Sequence, residues 1–289
     1  MSGASVIDEK PPDLVLTAFG LKAGDPEPLG DGWDGGWRCG EIVLTMIADH
    51  ARAAWSAKVR ESLFVDGLRL ARPVRSTDGR YVVAGWRADT YVAGNPEPRH
   101  DEVVSAGVRL HEATHTLERP RFLTQTPVPP WTDVDVFTAA DRAAWEEHPL
   151  KSLPLGAPAI EETETRQHSM ELLEQLARLR KPTKASSQLV HGDLYGTVLF
   201  DGAAAPGITD ITPYWRPPSW AAGVAVVDAL SWGDADDGLI ERWEDLPEWP
   251  QMLLRALMFR LAVHVLHPRS SEVAFPGLAR TAALVRMTL

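Results

Sequence analysis

Two carboxylates pose the chemical question. The segment LVHGDLYGTVLFD (189–201) runs from an apolar approach through a polar turn into a β-branched and aromatic stretch. After a Gly/Ala turn, a second apolar run, PGITD (206–210), ends in an acid. This reads as strand pieces joined by a hairpin, with Asp193 and Asp210 at its opposite ends. Phosphoryl transfer uses such a pair: one carboxylate orients the acceptor hydroxyl, and another holds a divalent ion against the nucleotide phosphates. An isolated His-Gly-Asp would be a polar turn. The spaced Asp210 and the flanking apolar runs turn it into a candidate site.

The bulk properties limit the partners. A chain of 289 residues with 44% hydrophobic content can bury a substantial core and is long enough for two lobes. A formal charge of -11 argues against nucleic acid or an anionic membrane as partner and is compatible with a cationic small-molecule substrate. With Cys39 the single cysteine, no intramolecular disulfide forms, which suits a reducing compartment. Met1 to Pro12 lacks the basic and apolar pattern of a secretory leader, and the sequence has no run of 18 apolar residues. The expectation is a cytoplasmic protein with no membrane partner.

At His191 to Leu194 the chain resembles the aminoglycoside phosphotransferase and choline kinase group, which shares the protein-kinase fold. The phrase PYWRPP (213–218) is similar to an uncharacterised actinobacterial branch of that group. The resemblance implies an α+β, two-lobed fold: a small antiparallel-sheet lobe over residues 1–86 and a mostly helical lobe over 87–289. It also implies ATP and Mg2+ as cofactors, His191 and Asp193 as catalytic residues, and Asp210, at the end of ITD (208–210), as a metal ligand. The group carries an Asn about five positions after the catalytic Asp. Thr197 is the nearest counterpart here and becomes the expected second metal ligand. The resemblance leaves the acceptor and the oligomeric state open.

Ahead of the hairpin, PLGDGWDGGWR (28–38) precedes the strand-like IVL (42–44). A Gly-rich turn between strands lets backbone N–H groups approach phosphate oxygens. Gly32, Trp33, Gly35 and Gly36 are the candidate nucleotide-binding residues, although a plain exposed turn accounts for the same pattern. The phosphate-contacting Lys that the resemblance implies falls on Thr45. Its Glu partner is missing from the middle of a helix over Asp49 to Leu63, which reads AAW (53–55), and the candidates Asp49 and Glu61 lie at the helix ends. Losing both together is consistent, because an unpaired buried Glu is costly. A charge-assisted contact contributes about 1.5–3 kcal/mol, so the loss is a handicap of about tenfold to 150-fold. Leu68 to Val74 and Arg80 to Val83 read as strands. Gly85 to Ala88 then reads as an interlobe hinge, with Trp86 and Ala88 meeting an adenine edge, or else as ordinary packing at a strand end.

A rival motif, HEATH (111–115), lies on a helix expected over Asp101 to Leu117. On a helix it would offer His111 and His115 to zinc, with Glu112 activating a bound water. No spacing singles out a third ligand, and residues 120–130 are Pro-rich, so a helix packing beneath the hinge is the simpler reading. Helices are further expected over Thr138 to Glu147 (capped by Thr138), Ile160 to Arg180, Trp220 to Trp232, Pro247 to His267 and Glu272 to Thr288. Asp228 lies inside the third of these and is expected to support the catalytic loop. Three functions therefore stand: a kinase for a small-molecule hydroxyl, a noncatalytic kinase-like binding protein, and a zinc hydrolase.

Overall fold

A computed structural model describes residues 10–22, 25–128, 131–146 and 163–289. Most of the expected N-terminal arm, and Ile160 at the start of one expected helix, lie outside the described residues. The chain forms two compact units, one of residues 1–118 with 189–214, the other of 119–188 with 215–289. The architecture is α+β.

In the first unit, a mainly antiparallel sheet has the order β1 (Glu27–Pro28), β2 (Trp37–Cys39), β3 (Ile42–Met46), β7 (Trp86–Thr90), β5 (Pro73–Val74), with β6 (Val82–Val83) also paired to β7. Both faces of β3 are covered, which explains its unbroken apolar run. Leu44 packs with Val15 and Leu16 of α1 (Asp13–Ala18), with Phe19 just after it, and with Trp86 and Ala88. Val43 packs with Trp33, Ala71, Val92 and Leu199. Helix α2 (His50–Ser62) starts where Asp49 accepts from the N–H groups of Ala51 and Arg52 at 2.8 and 3.1 Å. Helix α3 (His100–Thr114) turns Val103, Val104, Leu110 and His111 inward.

The hairpin forms as expected: β9 (Val198–Leu199) pairs antiparallel with β10 (Gly207–Ile208). A third strand, β4 (Arg69–Leu70), adds to β10 in parallel. The single strand expected over 68–74 is therefore split, with β4 in this small sheet and β5 in the larger one. A hairpin turn at Ala84 and Gly85, with φ of 48° and 81°, joins β6 to β7. The expected hinge is thus the turn and first half of a central strand. Trp86 faces Met46 and Val83 in the ladders, and Ala88 faces Leu44 and Val74. With both strand edges paired, neither residue offers a free backbone edge to adenine, which corrects that expectation.

In the second unit, α8 (Trp249–Leu266) is buried almost all round and packs against α4 (Asp133–Trp145), α5 (Glu164–Ala177), α6 (Pro218–Trp232) and α9 (Phe275–Met287). A short α7 (Leu239–Arg242) follows α6. Helix α4 begins earlier than expected, at a reciprocal box in which Thr132 and Asp135 bond each other's backbone N–H. The segment 213–218 is also more regular than its prolines suggest. Pro213 opens strand β11 (Pro213–Arg216) and Pro218 takes the first turn of α6, positions where a missing N–H costs nothing. Strand β11 pairs with β8 (Gln188–His191), the strand that leads into the Asp193 loop of the first unit. Asp228 of α6 receives Arg260 of α8, whose Nε donates to it at 2.7 Å. Among the described residues, no helix is long and apolar enough to cross a membrane.

Candidate functional site

The loop carrying Asp193 is braced at both ends. His191 is buried, and its Nδ1 accepts from the Asp193 N–H at 3.2 Å. The His191 N–H in turn donates to Nε2 of His111 at 3.0 Å. Beyond the acid, the Thr197 hydroxyl bonds to the carbonyl of Asp193 at 2.6 Å. Gly192 is required by packing, since a Cβ there would lie 2.4 Å from Cδ2 of Tyr214. These contacts leave the Asp193 residue half-buried on a fixed loop. They also turn Thr197 toward the backbone and away from the metal-ligand role expected of it.

Asp210 is surrounded by cations. One carboxylate oxygen accepts from Ser56 and lies 3.4 Å from Nε of Arg60; the other accepts from Arg87. Arg60 is fully buried and also donates to Asp89 at 2.7 Å and to the Ala71 carbonyl at 2.6 Å. Arg87 stands 3.3 Å from Asp89 and 4.0 Å from Asp34. Burial alone would push the Asp210 carboxyl up. The Arg87 and Arg60 charges and the Ser56 hydrogen bond outweigh it and hold the group below the usual carboxylate range. Burial opposes the charge on Arg87, and the surrounding Asp210, Asp89 and Asp34 more than restore it.

The glycine-bearing turn closes on this cluster. Residues Asp31–Trp33 form a 3-10 turn in which the N–H groups of Trp33, Asp34 and Gly36 bond to the carbonyls of Gly30, Asp31 and Trp33. Those three donors are spent inside the turn. Trp33 is buried and stacks on Tyr91. The Gly32 carbonyl accepts from the Thr209 hydroxyl at 2.9 Å, and a Cβ on Gly32 would lie 2.5 Å from Leu199. A Cβ on Gly36 would lie 2.8 Å from the Thr45 hydroxyl. Gly35, with φ of 67°, makes the left-handed step after Asp34 and has open space around it. Loss of water around the Asp34 carboxyl, reinforced by the charges of Asp210, Asp193 and Asp31 and opposed by Arg87, pushes it up to about 6. The acids at 193 and 210 thus act on one residue of the same turn.

Magnesium does not fit this arrangement. Both oxygens of Asp210 have protein partners, the Thr197 hydroxyl is engaged with the loop, and among the described residues no three His, Cys, Asp or Glu side chains are grouped to hold a metal ion. The zinc motif diverges as well. Helix α3 ends at Thr114, so His115 is at its cap, exposed, with Nδ1 2.6 Å from the Glu112 carbonyl. His111 is buried, and its Nε2 holds the His191 backbone. Burial, with the nearby His191 and against their hydrogen bond, pushes His111 down to about 3.

Reading the sequence missed the two arginines. Arg87 is the ladder partner of Thr45, so a cation stands one strand away from where the resemblance implied a Lys. Arg60 lies four residues after Ser56 on the face of α2 that meets Asp210. The available signal was the alternation in WRADT (86–90), which places Arg87 and Asp89 on one side of a buried strand.

No family model and no curated protein matches the chain. Solved structures match across nearly its whole length. A microcompartment-associated aminopropanol kinase is 17% identical, with 94% of this chain and 93% of that one covered and a TM-score of 0.52. An aminoglycoside phosphotransferase from Alicyclobacillus acidocaldarius is 14% identical, covering 98% and 96%, with a TM-score of 0.57. A spectinomycin phosphotransferase in complex with ADP and spectinomycin is 10% identical, covering 96% of each chain, also with a TM-score of 0.57. At these identities the likeness establishes the fold: that of aminoglycoside phosphotransferases and related small-molecule kinases.

Proposed function

We propose that this chain is a noncatalytic protein of the small-molecule kinase fold that binds a nucleotide without transferring its phosphoryl group. The observation that carries this reading is the engagement of both Asp210 oxygens by Ser56, Arg60 and Arg87. A divalent ion would have to displace a buried guanidinium from Asp210, breaking a charge-assisted contact that contributes about 1.5–3 kcal/mol. The ligand class follows the related fold, in which a spectinomycin phosphotransferase holds ADP. Arg87 is the residue we assign to the phosphates. The test is a thermal-shift series with ATP, alone and with magnesium, followed by phosphate release from wild type and Asp193→Asn. Stabilisation by nucleotide with equal, background phosphate release from both proteins supports the proposal.

A second reading is phosphoryl transfer from ATP to a small-molecule hydroxyl, with Asp193 taking the acceptor proton. What favours it is the bracing of the Asp193 loop by His191 and Thr197, which leaves that residue half-buried. Turnover that disappears in Asp193→Asn would establish this reading over the first. The acidic surface favours a cationic acceptor in that case.

A further inference from the structure

The second unit gathers three arginines close to Trp145 and the end of α4. Arg255 of α8 is buried, donating through Nη1 to the carbonyl of Ala144 and through Nη2 to that of Lys181, both at 3.0 Å. Arg180 donates to the same Ala144 carbonyl at 3.4 Å. These bonds satisfy a carbonyl in the last turn of α4 and one in the segment after α5, a common use of arginine. A third guanidinium, that of Arg216, joins them. Its carbon lies 4.8 Å from the ring centre of Trp145, and that of Arg255 lies 4.6 Å from the same ring.

Helix capping leaves two things unexplained. Among the described residues, the Nε of Arg255 and the Nε1 of Trp145 are buried donors with no acceptor, a condition that costs free energy. The acids nearby are also committed elsewhere. Asp141 takes both of its bonds from Arg216, at 2.7 and 2.6 Å. Glu248 accepts from the backbone N–H groups of Lys184 and Ala185. Burial, and then the charges of Arg180 and Arg216, push Arg255 down to about 10 against the pull of Glu248.

We propose that this place, framed by Arg180, Arg216, Arg255 and Trp145, is a binding site for a small oxyanion of the phosphate or carboxylate class. An oxyanion would supply the acceptors that two buried N–H groups lack and would offset the repulsion among three guanidinium groups. The site lies wholly within the second unit and does not depend on the reading of Asp193 and Asp210.

Calorimetric titration of the full chain with inorganic phosphate, pyrophosphate and succinate tests the proposal. Saturable binding of at least one is expected, and preference between the phosphates and succinate assigns the class. Arg255→Gln should weaken that binding by about tenfold or more, the usual scale for a lost charge-assisted hydrogen bond. Trp145→Phe, which keeps the ring and removes the N–H, should weaken it less, and it decides the matter if the arginine variant does not fold. Weakening in either variant sustains the site. Absence of saturable binding for all three anions, or wild-type affinity in both variants, overturns it.

Discussion

Thr45 and Arg87 face each other across the β3–β7 ladder, so the cation missing from one strand stands on its neighbour. Arg87 reaches Asp210 and Asp89 from there, and Arg60 reaches the same two acids from α2. The fold thus retains a helix-to-sheet ion pair, with the cation on the helix and the acid on the strand.

Removing one member of this network should be expensive. Arg87→Met leaves Asp210 and Asp89 short of a partner at a buried site, and a loss of about 3–5 kcal/mol in urea unfolding is expected. Adding Asp89→Asn should recover part of the loss, because contacting charges couple by about 0.5 kcal/mol or more. Strict additivity of the two substitutions would count against the network.

The turn should be equally sensitive to small changes. Thr209→Val keeps the shape but removes the donor to Gly32, and should cost about 1 kcal/mol. Gly32→Ala forces a methyl against Leu199 and should cost about 1–3 kcal/mol. If the turn must lift for nucleotide to enter, both variants should also bind it faster in stopped-flow mixing. Unchanged stability in Gly32→Ala would mean that the turn is not seated on the hairpin.

Acid should destabilise the first unit through several groups, among them His111, Asp210 and the buried His191, which burial also pushes down. His111 is held neutral and its folded value lies far below its unfolded one, so its contribution is complete above the unfolded value near 6.5 and is lost as pH falls toward about 3. The lowered Asp210 contributes in the same sense, present above the normal carboxylate range and lost below it. Asp34 acts oppositely: its raised value favours the folded state as pH falls through about 6. Urea midpoints measured from pH 7 to 4 should therefore decline. The His111→Gln slope should be shallower by up to about 1.4 kcal/mol per pH unit, and equal slopes would remove His111 from the account.

The hairpin was legible in the sequence because it is a local pattern of apolar runs and turn residues, and the fold class followed from the resemblance carried by His191 to Leu194. The partners of Asp210 were not. Arg60 and Arg87 look like ordinary charged residues until pairing of β3 with β7 and docking of α2 bring them to an acid more than a hundred residues away. The turn misled for a related reason. Its glycines are there at least partly because Leu199 and Thr45 leave no space for a Cβ, a constraint set by distant packing. The start of α4 was missed although Thr132 and Asp135 carry a capping pattern, because the prolines before it drew the helix start toward Thr138.

The central claim is that Asp210 is committed to protein partners and does not serve a divalent ion. The affinity of the full chain for ATP, measured by calorimetry in excess magnesium and again in excess chelator, tests it most directly. The account predicts binding in both, with dissociation constants equal within about twofold. Binding seen in magnesium and abolished by chelator would contradict it.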